Sequence, residues 1–157
     1  MKRENKYPDT TTFHFYNANP KNRITGDCRI RAISTACEVP YNQVVMDLAQ
    51  IQCETGYDQT ANQGISILMK CYGWKKCKQP RKPNGTKYTG KEFCGVLQQW
   101  LDDKKLHGIE YKDGIIIAPR IFCNIGGHHE VAIIDGKVWD HWNSTGGCIG
   151  NYWIKEI

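Results

Sequence analysis

The chain has 157 residues, of which 40% are hydrophobic, 24% charged and 11% aromatic, and its formal net charge is +5 at pH 7. This length suits one domain with its own core, and the apolar fraction excludes a wholly disordered protein. No apolar run approaches the ~20 residues of a membrane span, and no apolar stretch follows the basic start as in a secretory signal. We therefore predict a single cytoplasmic domain over residues 12–157, preceded by a loose segment at 1–11.

The eight cysteines contain no Cys-x-x-Cys pair, and a chain of this length does not need disulfides to fold. They are expected to be mostly reduced thiols. The spacings Cys71-x5-Cys77 and Cys123-x4-His128 are irregular for a zinc site, and no second half-site accompanies them. The sequence therefore predicts neither a metal nor another cofactor.

The first part of the chain has mainly helical periodicity. Alternation at Thr12–Tyr16 predicts a short strand before the helices begin. The predicted helices start at Asp27 as N-cap and end near Cys37, cover 41–53 and 61–72, and resume at the capping box Thr89-Gly-Lys-Glu92. The stretch at 73–90, with two prolines and Asn84-Gly85, is predicted to be a long loop.

Beyond Gly108 short apolar runs replace the helical spacing. Strands are predicted at 114–118, 120–123, 130–134, 137–140 and 151–154. Asp135-Gly136 is a strong hairpin signal, and a two-residue turn there sets residue 131 opposite residue 140. The predicted fold class is therefore α+β, with N-terminal helices packed on a C-terminal antiparallel sheet.

Cys28 lies in the first turn of the first long predicted helix. The free N–H groups and partial positive charge of a helix start favour the thiolate, which is the reactive form of a cysteine nucleophile. A cysteine at this position is equally compatible with a small buried apolar side chain. Its position alone therefore leaves both interpretations open.

A histidine and an aspartate on the predicted hairpin favour the catalytic interpretation. His129 begins a buried strand, and Asp140 lies about one residue pair away on the partner strand. Because side chains alternate along a strand, His128 is expected to point away from His129, at the rim of a site. A nucleophile, a base and a carboxylate that orients the base form a triad, which we predict to be Cys28, His129 and Asp140.

Two short stretches resemble known cysteine peptidases. Cys28-x-x-Arg31-Ala32 resembles the Cys-x-x-Arg-Ala stretch of OTU-type deubiquitinating proteases, and the order Cys, His, Asp with His129-x-Val-Ala resembles papain-like peptidases. Most of residues 15–155 is also similar to small proteins encoded by phages of Gram-positive bacteria, the shared stretches being 26–33, 73–82, 87–94, 135–140 and 150–153. The resemblance implies a papain-like fold and a phage-encoded protein in the host cytoplasm, and it supplies no substrate.

The sequence departs from the papain-like pattern before the nucleophile. Such enzymes usually hold a glutamine there that helps to bind the oxyanion. The position six residues before Cys28 is Asn22, with Asn19 and Asn17 further upstream. Asparagine also donates hydrogen bonds but is one methylene shorter. We predict Asn22 as the oxyanion donor, together with the Cys28 backbone N–H.

Residues 70–91, called the basic segment below, hold eight Lys or Arg residues and no Asp or Glu. One interpretation is a clamp for phosphates, a nucleotide or an acidic protein surface, and the other is a solvated mobile loop. No nucleic-acid-binding motif accompanies the charge, which argues against sequence-specific binding of nucleic acid. Besides His128, the expected ligand-binding residues are Trp74, Lys75, Lys76, Lys78, Arg81 and Lys82.

Two functions are compatible with these patterns. The first is a thiol hydrolase, either a peptidase or an isopeptidase or deamidase, acting on a protein or peptide. The second is a papain-like binding protein without catalysis that sequesters a host factor or a nucleotide signal in counter-defence. The order of Cys28, His129 and Asp140 favours the hydrolase. Asn22 and the basic segment favour the binding protein.

Overall fold

The computed structural model describes residues 1–104, 110–112, 115–117 and 119–155. These residues form an α+β fold, as the sequence predicts. The helices are α1 (Arg3–Lys6), α2 (Cys28–Cys37), α3 (Tyr41–Thr55), α4 (Asn62–Cys71) and α5 (Gly90–Asp103). The strands are β1 (Phe13–Phe15), β2 (Trp74–Cys77), β3 (Glu110–Lys112), β4 (Ile115–Ile117), β5 (Arg120–Ile125), β6 (His129–Ile134), β7 (Lys137–Asp140) and β8 (Ile149–Lys155). Gly114 and Ala118, which belong to one predicted strand, lie outside the described residues.

Six strands form one open sheet in the order β1-β7-β6-β5-β8-β2, and β3 pairs with β4 separately. β1 runs parallel to β7, whereas the other pairs of the large sheet are antiparallel. The prediction of a purely C-terminal, antiparallel sheet is therefore wrong, because both edge strands come from the first half of the chain. A parallel pair needs a long crossover, and the segment between β1 and β7 is long enough to supply it.

The hairpin β6–β7 has the predicted register. Asp135 and Gly136 have φ values of 51° and 70°, as a type I′ turn requires at its two central residues. Ile134 pairs with Lys137 next to the turn, and Ala132 pairs with Trp139 two residues further along. The prediction from the turn signal is confirmed, and it brings the start of β6 close to the end of β7.

Helices cover both faces of the large sheet. Along β5, Phe122 belongs to the core cluster that contains the apolar side chains of α2, α3 and α4. Its neighbours Ile121 and Cys123 belong to a second cluster with Phe93 and Leu97 of α5. Because successive strand residues point to opposite faces, the sheet lies between α5 and the other three long helices. No helix of the described residues is long and apolar enough to cross a bilayer.

The predicted loop at 73–90 contains the edge strand β2. Trp74 pairs with Lys155 of β8 and Cys77 with Tyr152. The Trp74 side chain is 5% exposed and belongs to the core cluster of α2, α3 and α4. Its assignment as a ligand-binding residue is therefore wrong. An edge strand tolerates exposed lysines because one of its sides faces solvent, and these lysines concealed the strand in the sequence.

The two predicted helix starts differ in the structure. At α5 the Thr89 hydroxyl accepts from the Glu92 N–H while the Glu92 carboxylate accepts from the Thr89 N–H, which confirms the capping box. Asp27 occupies the N-cap position of α2, but its carboxylate makes no capping hydrogen bond. It bonds to other side chains instead, and these belong to the candidate site.

The segment at 1–11 is attached to the rest of the fold. It contains the single-turn helix α1, and the Arg3 Nε donates to the His141 carbonyl at 2.6 Å. The sequence predicts a loose segment here because it is short, polar and without periodicity. The contact to His141 depends on a residue far along the chain, which the local sequence does not indicate.

Candidate active site

The candidate site lies where three secondary structure elements begin or end. α2 begins at Cys28, β6 begins at His129 and β7 ends at Asp140. The β6–β7 hairpin brings the last two residues together, and α2 packs against β6 through Ala32 and Ala132 in their shared core cluster. The structure thus brings together the three residues that the sequence predicts as a triad.

The three side chains interact in series. The His129 Nε2 lies 2.5 Å from the Asp140 Oδ2. The Cys28 thiol is close enough to the same imidazole for each group to shift the pKa of the other. Because the Nε2 is occupied by Asp140, the Nδ1 is the ring nitrogen left for the thiol. Asp140 is 1% exposed and the His129 side chain 18%, so water has little access to the contact between them.

The surroundings of Cys28 favour the thiolate. Burial raises the pKa of the Cys28 thiol, but hydrogen bonds from the His129 ring and from the Glu130 backbone N–H oppose this effect. The positive charges of His129 and Arg31 act in the same direction, and the pKa of Cys28 lies below its ordinary value as a result. This is the condition for a nucleophilic cysteine.

The surroundings of His129 favour the imidazolium. Burial lowers the pKa of His129, whereas its hydrogen bonds to Asp140 and Cys28 raise it, and the result is a pKa of about 9. At neutral pH a protonated imidazole therefore faces a thiol whose lowered pKa increases its thiolate fraction. The pair is ready for nucleophilic attack and for proton donation to a leaving group.

Asp140 is held by several donors. The Arg31 Nη1 donates to Oδ1 at 2.9 Å, and the His141 backbone N–H donates to the same oxygen at 2.8 Å. The Ser144 hydroxyl lies 3.3 Å from Oδ2. Burial raises the pKa of Asp140, but the bonds and charges of His129 and Arg31 outweigh burial and lower the pKa overall. Asp140 is thus kept charged and fixed in its orientation toward His129.

Arg31 links the triad to a second buried carboxylate. It is 5% exposed, and its Nε donates to the Asp27 Oδ1 at 2.7 Å. The Asp27 Oδ2 accepts from the Tyr41 hydroxyl at 2.6 Å and from the Asn19 Nδ2 at 2.9 Å. One guanidinium therefore bridges two buried carboxylates, since it also binds Asp140. Arg31 positions the triad, although the sequence singled it out only as part of a resemblance.

Trp142 is another contributor that the sequence reasoning missed. Its ring centroid lies 5.0 Å from that of His129, with an angle of 44° between the rings. Trp142 is two residues beyond Asp140, so the end of β7 supplies both the carboxylate and the aromatic neighbour of the imidazole. Such a ring restricts the rotation of His129 and limits the access of water to its bond with Asp140.

Asn22 does not occupy the expected position. It is exposed, has a φ of 53°, and its Oδ1 accepts from the Asn17 Nδ2 at 3.3 Å. No hydrogen bond within the described ranges joins Asn22 to Cys28 or His129. The backbone at Asn22 forms a left-handed turn that the sequence does not reveal, and its side chain bonds to Asn17. Asn19 instead reaches the residue before the nucleophile, through its bond to Asp27.

The remaining predicted ligand-binding residues are dispersed. His128, Lys75, Lys76, Lys78 and Arg81 are exposed. Arg81 donates to the Gly85 carbonyl, and Lys82 forms an ion pair with Glu92 and lies over the Tyr88 ring. Considering the residues that the structure describes, only Lys76 among these cations lines the cavity whose wall includes Arg29 and Glu130. The basic segment is therefore not one continuous clamp.

The site has no obvious place for a metal. Across the described ranges, no group of three or more His, Cys, Asp or Glu side chains is arranged to hold an ion. No disulfide links any of the eight cysteines, all of which lie in described parts of the chain.

Comparison of the chain with protein-family models, with curated proteins and with solved structures gives no match. The interpretation of the site therefore depends on its own geometry and electrostatics. These are the hydrogen bond that joins His129 to Asp140 and the opposite pKa shifts of the Cys28 thiol and the His129 imidazole.

Proposed function

We propose that the protein is a papain-like thiol hydrolase that cleaves an amide or isopeptide bond of a protein or peptide. The observation that carries this proposal is the 2.5 Å hydrogen bond between His129 and Asp140 beside Cys28, together with a lowered thiol pKa and an imidazole pKa raised to about 9. A purely structural cysteine has no need of such surroundings, and burial alone would shift its pKa upward.

The acylation step uses the ion pair directly. The Cys28 thiolate attacks the carbonyl carbon, an S–C bond forms, and the carbonyl electrons move to the oxygen. The tetrahedral intermediate then collapses, the C–N bond breaks, and His129 gives its proton to the departing amine. An acyl-enzyme thioester and a free amine result. Asp140 stabilises the imidazolium and fixes the orientation of its ring throughout.

Water completes the cycle. Neutral His129 removes a proton from water as the water oxygen attacks the thioester carbonyl, and the C–S bond breaks to release the carboxylic acid. The thiolate and the imidazolium are thereby restored. If the leaving amine is ammonia from a side-chain amide, the same steps give deamidation. Transfer of the acyl group to another amine differs only in the second nucleophile.

Backbone donors at the start of α2 support stabilisation of the oxyanion. Cys28 is the first residue of α2, so its backbone N–H has no hydrogen-bond acceptor within the helix. The partial positive charge of the helix start acts on the same point. In this proposal the Cys28 N–H replaces much of what Asn22 was expected to contribute. The resemblance to phage proteins supports the further proposal that the enzyme acts in the cytoplasm of a bacterial host.

The proposal is tested with a library of peptides from a protease digest of bacterial proteins. Wild-type protein should generate new amino termini or deamidated products, and Cys28→Ala should generate none. Cys53→Ala is the matched control, because Cys53 is an exposed cysteine outside the site, and it should retain full activity. Products that persist in Cys28→Ala, or their absence in wild type together with no thioester on Cys28, would contradict the proposal.

A second candidate is a papain-like binding protein that sequesters a host factor or nucleotide signal in counter-defence. Two observations favour it, namely the displaced Asn22 and the exposed Lys75 and Lys78 on and after the edge strand β2. A binding protein keeps its cellular effect in Cys28→Ala and loses it when these lysines are replaced by alanine. A hydrolase shows the opposite pattern, which we expect.

A further inference from the structure

A cavity of about 370 Å³ lies on the side of the sheet that faces α2 and α4. None of the three triad residues lines it, but Arg29 and Glu130 do, and these residues directly follow Cys28 and His129 in the chain. Asn62 of α4 and Lys76 of β2 also line it. The cavity has the size of a small ligand-binding pocket, and two of its wall residues are the chain neighbours of the nucleophile and the base.

The Arg29 charge is already satisfied by the protein. Its Nη1 donates to the Thr60 carbonyl and its Nη2 to the Asn62 Oδ1, each at 2.6 Å. Its Nε lies 3.5 Å from the Glu130 Oε1. Arg29 and Glu130 therefore contribute one charge of each sign and nearly cancel. Their main effect is to fix the wall of the cavity.

Lys76 is the other positively charged residue in the wall of the cavity. No hydrogen bond or ion pair within the described residues involves its ammonium group. The amino-terminal turn of α4 borders the same cavity through Asn62, and the N-cap residue Ala61 has no side chain that caps its free N–H groups. The helix start adds partial positive charge to that of Lys76. The cavity thus has an excess of about one positive charge.

The sheet contributes both amide and aromatic side chains to the cavity, the latter being Phe122 and Trp153. The register of β5 against β8 shifts between Cys123 and Ile125, where Asn124 lies in the irregularity. A Cβ on Gly150 would come within 2.8 Å of the Asn124 Oδ1, so glycine is needed for this approach. The Asn151 Oδ1 accepts from the Gln79 N–H, which leaves its Nδ2 as a donor. An amide donor of this kind can hydrogen bond to a polar ligand.

We propose that this cavity binds a carboxylate of the substrate, so that the enzyme selects an acidic residue close to the bond it cleaves. Lys76 and the start of α4 supply the positive charge, and the Asn151 amide supplies a neutral donor. A phosphate monoester carries about two negative charges, which one unpaired cation balances less well than the single charge of a carboxylate. The basic segment and the cysteine therefore act on one substrate. This inference rests on the proposed hydrolase function.

The test uses N-acetyl tetrapeptide chloromethyl ketones, whose chloride the Cys28 thiolate displaces as the S–C bond forms. Each probe contains alanine except at one position, which holds Glu, Gln or Lys. Modification of Cys28 is followed by mass spectrometry, so the assay does not depend on turnover. At one position we expect Glu to react about fivefold faster than Gln at 50 mM salt, which corresponds to about 1 kcal/mol. This preference should diminish at 500 mM salt.

Lys75 provides the matched control. It is adjacent to Lys76 on β2 and equally exposed, but it does not line the cavity. Lys76→Gln should abolish the preference for Glu, whereas Lys75→Gln and Lys76→Arg should keep it. Both lysines are exposed, so neither change should unfold the protein, and circular dichroism checks this.

Several outcomes overturn the inference. Equal rates for Glu and Gln at every position, equal effects of Lys75→Gln and Lys76→Gln, or a preference for Lys would each do so. Protection of Cys28 by inorganic phosphate, without a preference for Glu, would assign the cavity to phosphate instead. If iodoacetamide does not modify Cys28 selectively, the hydrolase proposal itself fails. If it does and no preference for Glu appears, only the assignment of the cavity fails.

Discussion

The candidate site and the edge strand β2 use charged residues in opposite ways. At the site, Arg31 and Asp140 are almost completely buried, and each is held by several hydrogen bonds. On β2, Lys75 and Lys76 are exposed, and the buried member of the strand is apolar Trp74. Buried charges here fix the positions of catalytic groups. Exposed charges contribute mainly a local field, at little benefit to stability.

Replacement of Arg31 tests the first half of this comparison most severely. Arg31→Met leaves Asp27 and Asp140 as buried carboxylates without their shared cation, so we expect the free energy of unfolding to fall by about 3–5 kcal/mol. Denaturant unfolding measures it. Arg23→Met, which removes an exposed arginine, should change the value by no more than about 0.5 kcal/mol. Equal small losses in both variants would show that the buried network does not stabilise the fold.

Trp74→Ala tests the second half, because the sequence predicted Trp74 as a ligand-binding residue. The side chain is 5% exposed in a core cluster, and its removal should cost about 3–5 kcal/mol of folding free energy. The same denaturant experiment applies. A near-neutral effect on stability, combined with the loss of ligand binding, would reinstate the original prediction.

The pH dependence of stability isolates His129. A pKa of about 9 in the folded state lies above the ordinary value of 6.5, so the stabilisation is complete below pH 6.5 and is lost as the pH rises toward 9. Cys28→Ala removes the opposing titration of the thiol, together with the part of the rise in the His129 pKa that Cys28 causes, and leaves the part caused by Asp140. In that background we expect the free energy of unfolding to fall by on the order of 1–2 kcal/mol between pH 6.5 and 9.

The control for this pH effect is the double variant Cys28→Ala, His129→Gln. It lacks the titrating imidazole. Between pH 6.5 and 9 its free energy of unfolding should therefore fall by about 1–2 kcal/mol less than that of Cys28→Ala. Parallel pH profiles for the single and the double variant would mean that His129 has no raised pKa in the folded protein.

The smallest effect is expected on the exposed edge. Lys75→Ala and Lys78→Ala remove two charges that lie in solvent, and together they should change the free energy of unfolding by no more than about 0.5 kcal/mol. Thermal or denaturant melts measure this. A loss of several kcal/mol would show that the edge lysines are structural and would remove the contrast with the site.

The part of the site that the sequence predicts depends on local signals. Asp135-Gly136 defines the turn, the turn fixes the register of β6 and β7, and the register brings His129 to Asp140. The position of Cys28 follows from the helix start. Each step involves residues close in sequence, except the packing of α2 against β6. That contact was expected only because the order Cys, His, Asp resembles papain-like peptidases.

The parts that the sequence does not predict depend on distant contacts. Arg31 and Asp140 are 109 positions apart, and no spacing rule relates them. Asp27 and Arg31 have the spacing of an ion pair within one helical turn, but that pattern alone is usually found on exposed surfaces. The left-handed turn at Asn22 and the strand around Trp74 were hidden because asparagine and lysine are common in irregular loops.

The central claim is that the thiol of Cys28 is activated by His129 and Asp140, and alkylation of the cysteines at pH 6.5 tests it most directly. Cys53, Cys71 and Cys148 are exposed and Cys28 is only partly so, which means that exposure alone predicts slower reaction at Cys28. Site-resolved mass spectrometry after a limited treatment with iodoacetamide gives the relative rates. We predict that Cys28 reacts at least about tenfold faster than the three exposed cysteines, and that His129→Ala removes this advantage. Reaction in the order of exposure, unchanged by His129→Ala, would contradict the account.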